Sequence, residues 1–482
     1  MQRTWLRAAL PGLLAFGVLF CSCTNPRGGA QNPTASATQT DWVDPLNETK
    51  EQRDARMAWW REARFGMFVH WGVYAVPAGT HEGERIDGIG EWIMYAAKIP
   101  IAKYRSYAQQ FNPVRYDPAA WVKMAKDAGM KYIVITAKHH DGFALFDSAV
   151  SDWDIADASP YGRDLLRPLV DEAKKQGLKV GFYYSQAQDW VHPGGAKYRL
   201  EEGEYWDEAQ SGSFDAYLKD IAYPQVKEIL TGYDIDMLWW DTPTWMNEER
   251  ARLLRSLLPL RPGLITNNRL GGGFQGDTDT PQQRVPATGI EGRDWEVCMT
   301  MNRTWGYKSY DEDWKSAGEL IRKLVDIASK GGNFLLNVGP KPDGTIPAAS
   351  IDRLAEVGNW MQRNGESIYG TTASPFDRPP WGRCTRREME GDVTRLYLQV
   401  FDWPTERLLR VPLGNEVLAC RSLYNAEEEF AVDKDERGLA VRLTGQPENE
   451  FSAVVVLDIR GKPEVLSQDA DPVAETPAHA KR

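Results

Sequence analysis

The chain has 482 residues, enough for two or three domains, and its 42% hydrophobic and 26% charged content is that of a soluble globular protein. A net charge of −11 argues against nucleic acid or an anionic membrane surface as a partner. Nineteen tryptophans offer flat apolar faces with one polar handle, suited to filling a large core or to stacking on the C–H face of a sugar.

Arg3 and Arg7 precede an apolar run from Ala8 to Phe20, the length of a signal-peptide core and too short to span a bilayer as a mature helix. The run meets Cys21-Ser22-Cys23, which resembles a lipoprotein cleavage box with Cys23 the better acceptor. Residues 1–23 therefore read as an export signal of the lipoprotein type. That places the mature chain in the periplasm or outer membrane of a bacterium, with a possible membrane tether through lipidated Cys23. Residues 24–45, rich in Pro, Gly, Ser and Thr, read as a flexible linker. The remaining Cys298, Cys384 and Cys420 are odd in number and widely spaced, which fits neither a disulfide framework nor a zinc site.

From residue 46 a pattern repeats. A helix over Glu51–Arg64 leads into the strand Phe65–Val69, which runs on to His70. Helices ending at Gly129 and Gly177, residues suited to the left-handed cap, each lead within three residues into an apolar strand, Tyr132–Thr136 and Val180–Tyr184. A third unit closes at Gly232 and continues as Ile235–Trp240. Leu264–Asn267, a helix over Ala317–Ser329, the strand Asn333–Val338 and a helix over Ala348–Arg363 extend the series. Helix–Gly–strand at intervals of about fifty residues predicts an α/β fold with a parallel sheet, a (β/α)8-like (TIM) barrel over 46–370. A doubly wound open sheet is the competing architecture, and the absence of a GxGxxG or Walker pattern after the first strand counts against it. Beyond residue 370 short strands between turn residues predict a small C-terminal antiparallel β-sandwich over 371–461, then a disordered tail over 462–482.

In a barrel, chemistry collects at the carboxyl ends of the strands. The residues at those ends are His70 and Trp71, His139 with His140 and Asp141, Tyr183 and Tyr184, Trp239 and Asp241, and Asn268 with Arg269. Asp241 directly follows a buried Trp pair; an N-cap for the next helix is its competing reading. Adjacent His139 and His140 point to opposite sides of an extended segment, and no HxH or HExxH spacing occurs, so no metal or cofactor is expected. A cleft of His, Arg, Asn, Tyr and Trp suits sugar hydroxyls, and glycoside cleavage needs two carboxyls. Asp241 suits the fixed nucleophile. The second is expected from a mobile loop: Glu291 or Glu296 between Leu270 and Arg303, or Glu82, Glu84 or Glu91 after the first strand. Glu296, between Trp295 and Val297, is the preferred acid/base because partial burial raises a carboxyl pKa, with Glu291 in reserve.

Phe65–Gly72, Glu91-Trp92, Lys138–Phe143, Phe182–Ser185, Leu238–Asp241, Trp295–Thr300, Thr304–Tyr307 and Lys330–Pro340, in that order, resemble the family 29 glycoside hydrolases, the α-L-fucosidases. The resemblance implies a retaining double displacement on fucosylated oligosaccharides or glycoconjugates, with Asp241 at the nucleophile position. It maps the fucose pocket to His70, Glu91, Trp92, His139, His140, one of the pair Tyr183 and Tyr184, Trp239 and Arg269, with Trp305 beside the C6 methyl. A related exo-glycosidase on a galactose-like sugar and a non-catalytic fucose-binding paralogue are the alternative functions.

Overall fold

A computed structural model describes residues 48–467, apart from 448 and 450. The expected signal segment, the linker to 45, Cys21, Cys23 and the end of the tail lie outside the described residues.

Helix α1 (Lys50–Ala63) begins at a capping box, in which Thr49 Oγ1 takes the Gln52 amide and Gln52 Oε1 takes the Thr49 amide. Eight parallel strands come next: β1 (Phe65–Val69), β2 (Tyr132–Lys138), β3 (Lys179–Tyr184), β4 (Met237–Trp240), β5 (Ile265–Thr266), β6 (Thr278–Asp279), β7 (Asp294–Thr300) and β8 (Asn333–Val338). Within each half, sequential strands pair, and β8 returns to β1. A single parallel bridge, Asn267 to Thr278, links the β5 edge to the β6 edge, so the eight strands form a nearly closed barrel. Helices α2 (Pro118–Asp127), α3 (Leu166–Gln176), α4 (Tyr223–Gly232) and α5 (Glu248–Arg255) come after β1 to β4 in turn, while α6 (Ala317–Ala328) and α7 (Ala348–Asn364) come after β7 and β8. The stretch expected as one long loop from 270 to 303 therefore holds two barrel strands. β6 has only two residues, too few to show any periodicity.

Alternation along the strands fills the barrel interior with Phe68, Tyr132, Val134, Tyr183, Met237, Trp239, Ile265, Cys298 and Leu335. Met57, Trp60 and Ala63 of α1 belong to the same cluster and stopper the end where the strands begin. Ion pairs Arg56–Asp277 (2.6 Å) and Arg61–Asp294 (2.7 Å) fasten α1 to the starts of β6 and β7. Gly66 is required inside: a Cβ there would sit 2.4 Å from the Tyr132 ring, which crosses the barrel at that level.

The C-terminal region is two antiparallel sheets over one apolar core. One holds β9 (Gly382–Met389), β10 (Val393–Val400), β15 (Ala453–Arg460) and β12 (Val417–Ser422) in that order. The other holds β11 (Leu408–Val411), β14 (Gly438–Arg442) and β13 (Ala431–Asp435). The sandwich docks on α6 and α7: Arg322 Nη2 donates to the Phe401 carbonyl at 2.7 Å, Trp360 Nε1 to the Ser452 carbonyl at 3.1 Å, and Arg383 pairs with Asp326. The expected tail begins later than 461. Val465 bridges Leu413, and the Leu466 amide donates to the Pro412 carbonyl at 3.0 Å.

Candidate active site

The strand ends surround a pocket of about 420 Å³, its open mouth included. His70, Glu91, Trp92, His139, His140, Tyr183, Trp239, Asp241, Arg269 and Trp305 all line it, so ten of the side chains expected from sequence come together.

Asp241 leaves β4 on a turn whose next residue, Thr242, holds φ at +45°, a region that β-branched residues avoid. Its carboxylate is clamped from two sides. Arg269 Nη1 donates to Oδ1 at 2.7 Å, and Tyr183 Oη donates to Oδ2 at 2.8 Å. Burial pushes the carboxyl pKa up, but the Arg269 guanidinium, with the hydrogen bond from Tyr183, outweighs burial and holds it below the usual aspartate value. Asp241 is therefore ionised at neutral pH. Arg269 is itself braced by Thr280, through Nε to Oγ1 at 2.7 Å and Nη2 to the carbonyl at 2.8 Å. Its guanidinium lies 4.7 Å from the centre of the Trp239 ring.

His70 and His140 are neutral acceptors whose tautomers are assigned from their partners. Asn337 Nδ2 donates to the Trp305 carbonyl, which leaves Asn337 Oδ1 to accept from His70 Nδ1 at 2.7 Å. His70 Nε2 thus keeps a lone pair, and burial lowers the ring pKa to about 3. Ser185 gives its proton to the Gln188 carbonyl, so His140 Nδ1 is the donor in its 2.7 Å contact with Ser185 Oγ. His140 Nε2 faces Asp241 Oδ2 across 3.6 Å, and burial lowers that ring's pKa to about 4. His139, stacked on Tyr183 at 5.4 Å, has a buried Nδ1 without a partner. Glu91 accepts from the Gly306 amide at 2.8 Å through Oε2, while its buried Oε1 has no partner. Burial pushes the Glu91 carboxyl up to about 7. A buried polar atom without a partner is rare, and two in one pocket, His139 Nδ1 and Glu91 Oε1, describe a site whose hydrogen bonds are completed by a polyhydroxy ligand. Phe68, Ile89 and Trp305 supply an apolar wall.

Four expectations are corrected. Tyr184 faces away from the pocket: its hydroxyl donates to Gln225 Oε1 on α4 at 2.9 Å, as alternation along β3 requires. Glu296 is not on a loop. It is the third residue of β7, fully buried, and pairs in register with Asn333, the first residue of β8, in the lower half of the barrel. Its oxygens accept from Tyr132 Oη and from Trp239 Nε1 (3.2 Å), so it props Trp239 from below the pocket floor and does not line the pocket. Burial does raise its pKa, to about 7, yet in the wrong place for the chemistry. Glu291, held in reserve, is exposed just before β7 starts, at the opposite end of the barrel. Asp141 also turns away, accepting from Tyr104 Oη at 2.8 Å.

Sequence reasoning missed Asn337, Gln186 and Gln282. Asn337 shares one face of β8 with Asn333 and Leu335, and a polar residue at that period in an apolar strand was the available signal. Gln186 takes the Asp241 amide at 3.0 Å and donates to the Arg269 carbonyl at 2.8 Å, tying the two backbones together. Gln282 gave no signal, because nothing local marked its segment as part of the barrel.

A barrel with an ionised strand-end aspartate and a pocket of acceptors and aromatic walls defines a carbohydrate-processing enzyme. The α-L-fucosidase family model matches residues 31–366. An α-L-fucosidase from Dictyostelium discoideum is 29% identical over 431 residues, 80% of this chain and 88% of the relative. α-L-Fucosidase isoenzyme 1 from Paenibacillus thiaminolyticus is 39% identical, with a TM-score of 0.75 over 85% of this chain and 99% of that one. A Bacteroides thetaiotaomicron α-L-fucosidase, trapped as a covalent intermediate with 2-fluoro-fucosyl fluoride in a glutamate-to-glutamine variant, is 30% identical, with a TM-score of 0.75 over 85% and 97%. The chain belongs to the α-L-fucosidase family of glycoside hydrolases.

Proposed function

We propose that this chain is a retaining exo-α-L-fucosidase that removes terminal α-L-fucose from fucosylated glycans. The observation that carries the reading is the ionised Asp241 carboxylate, clamped between Arg269 and Tyr183 at the edge of a pocket for one sugar. Asp241 attacks C1, the bond to the leaving oxygen breaks, and water then attacks C1 of the fucosyl ester, so that two inversions give net retention. His70 Nε2, His139, His140 and Glu91 hold the ring hydroxyls. The trapped covalent intermediate of the Bacteroides relative supports the same course here. The apolar wall of Phe68 and Trp305, 5.9 Å apart, suits a C6 methyl and would leave the extra hydroxyl of a galactose-type sugar unpaired.

Incubation with 2-fluoro-fucosyl fluoride and then peptide mass spectrometry is expected to label Asp241. NMR of the first-formed product is expected to show the α anomer. A label elsewhere or a β product would sink the reading. Arg3, Arg7 and the apolar run to Phe20 support export, with lipidation at Cys23. Globomycin-sensitive processing of the full chain in a bacterial host tests that part.

A further inference from the structure

A retaining glycosidase needs a second group beside its nucleophile, one that gives a proton to the leaving oxygen and later takes one from water. Granted the reading of Asp241 as nucleophile, we propose that Gln282 stands in that place. The chain would then form its fucosyl-enzyme without a built-in proton donor and favour fucosides whose leaving group departs as a stable anion.

Position carries the argument. Arg269 Nη1 donates both to Asp241 Oδ1 at 2.7 Å and to Gln282 Oε1 at 3.1 Å. Two acceptors sharing one nitrogen lie within about 6 Å of each other, and the carboxyls of a retaining pair stand about 5–5.5 Å apart. Gln282 is exposed at the mouth, the side to which an aglycone must project. It is also fixed there. The Cys298 amide donates to the Pro281 carbonyl at 3.1 Å and the Gln283 amide to the Cys298 carbonyl at 2.9 Å, a parallel bridge onto β7. Gln283 turns the other way, to Thr300, so alternation aims Gln282 over the pocket.

No other carboxyl takes the role. Among the described residues lining the pocket only Asp241 and Glu91 carry one. Glu91 is 1% exposed, against 8% for Asp241, and is tied through Oε2 to the Gly306 amide beside Trp305. That is the deep wall, where ring hydroxyls are held, and an aglycone leaving by the mouth does not reach it.

An amide neither gives nor takes a proton at working pH. When Asp241 bonds to C1, the electron pair of the breaking C1–O bond leaves on the aglycone oxygen, which must be stable as an anion or take its proton from water at the mouth. When water attacks C1 in the second step, Asp241 departs as carboxylate and the water's proton passes to solvent. An anion such as azide needs no such help and attacks the ester directly.

The full chain is assayed on aryl α-L-fucosides with leaving groups of graded pKa and on a fucosyl disaccharide, with and without azide. The wild type is expected to slow steeply as leaving-group pKa rises, and to be accelerated by azide with α-fucosyl azide as product, the mark of a native nucleophile with no proton relay. Gln282→Glu is expected to flatten that dependence, lose the azide effect and cleave the disaccharide about a hundredfold faster or more. A flat dependence in the wild type with no azide effect would overturn the proposal. So would α-fucosyl azide formed by Glu91→Gln alone, which would make Glu91 the acid. Failure of the fluorinated donor to label Asp241 would overturn the underlying fucosidase mechanism itself.

Discussion

The phenol of Tyr183 donates to Oδ2 of Asp241 at 2.8 Å, on the oxygen that Arg269 leaves free. Orientation and charge of the carboxylate are thus set by two different groups. Losing a hydrogen bond to a charged group costs about 1.5–3 kcal/mol, or roughly ten- to a hundredfold in rate if the bond persists in the transition state. Tyr183→Phe keeps the stack on His139 and is expected to lower kcat by that amount with KM little changed. Steady-state kinetics on an aryl fucoside checks it; an equal loss in KM would make Tyr183 a binding residue only.

Asp241→Asn removes the proposed nucleophile while keeping the shape of the group between Arg269 and Tyr183. Turnover of an aryl fucoside is expected to fall by several powers of ten. Azide is expected to restore part of it with β-fucosyl azide as product, the opposite anomer from that of the wild type. Near-normal rates in this variant would remove Asp241 from the reaction.

Glu296→Gln separates a prop from an acid. Above about pH 7, where Glu296 is ionised and accepts from both Tyr132 Oη and Trp239 Nε1, an amide can accept from only one of them, and leaving one buried donor unpaired costs about 1–3 kcal/mol of stability. Denaturant unfolding is expected to show that loss, while kcat falls less than tenfold through a shifted Trp239. A drop of a thousandfold rescued by azide would return Glu296 to the chemistry.

Glu91, Asp141 and Glu296 share a raised pKa of about 7, each chiefly through burial. Above the ordinary carboxyl pKa of about 4 the unfolded chain has released these protons, while the folded chain keeps them until about pH 7. Their stabilising contribution is whole below that lower value and drains away as pH rises to the upper one. The melting temperature is expected to fall by several degrees between about pH 5 and about pH 8. A flat or rising profile across that window would contradict the buried, protonated state of these groups.

Strands with strong apolar runs, such as Tyr132–Lys138 and Met237–Trp240, make the barrel legible, and the residues at their carboxyl ends make most of the pocket legible. Length and depth account for the parts that stay hidden. β6 is two residues long, and no helix separates it from β7, so the helix–Gly–strand repeat that reveals the other strands does not show that 278–279 and 294–300 close the ring. With β7 taken for loop, Glu296 looks like an acid near the mouth, when its register with Asn333 puts it under the floor. Burial and its effect on the pKa are legible from Trp295 and Val297, but distance from the chemistry is not. The same gap hides Gln282, whose meaning depends on sharing Arg269 with Asp241. In the sandwich, β9 and β13 escape detection because runs of consecutive charged residues, Arg386 to Glu388 and Asp433 to Asp435, break the alternation that marks a strand.

Helix α1 corks the far end of the barrel with Met57 and Trp60. With one end closed, the double displacement proposed above requires the aglycone to clear the entrance before water arrives, and free fucose to leave last by the door it came in. On that course any small alcohol held in the doorway competes with water for the fucosyl ester.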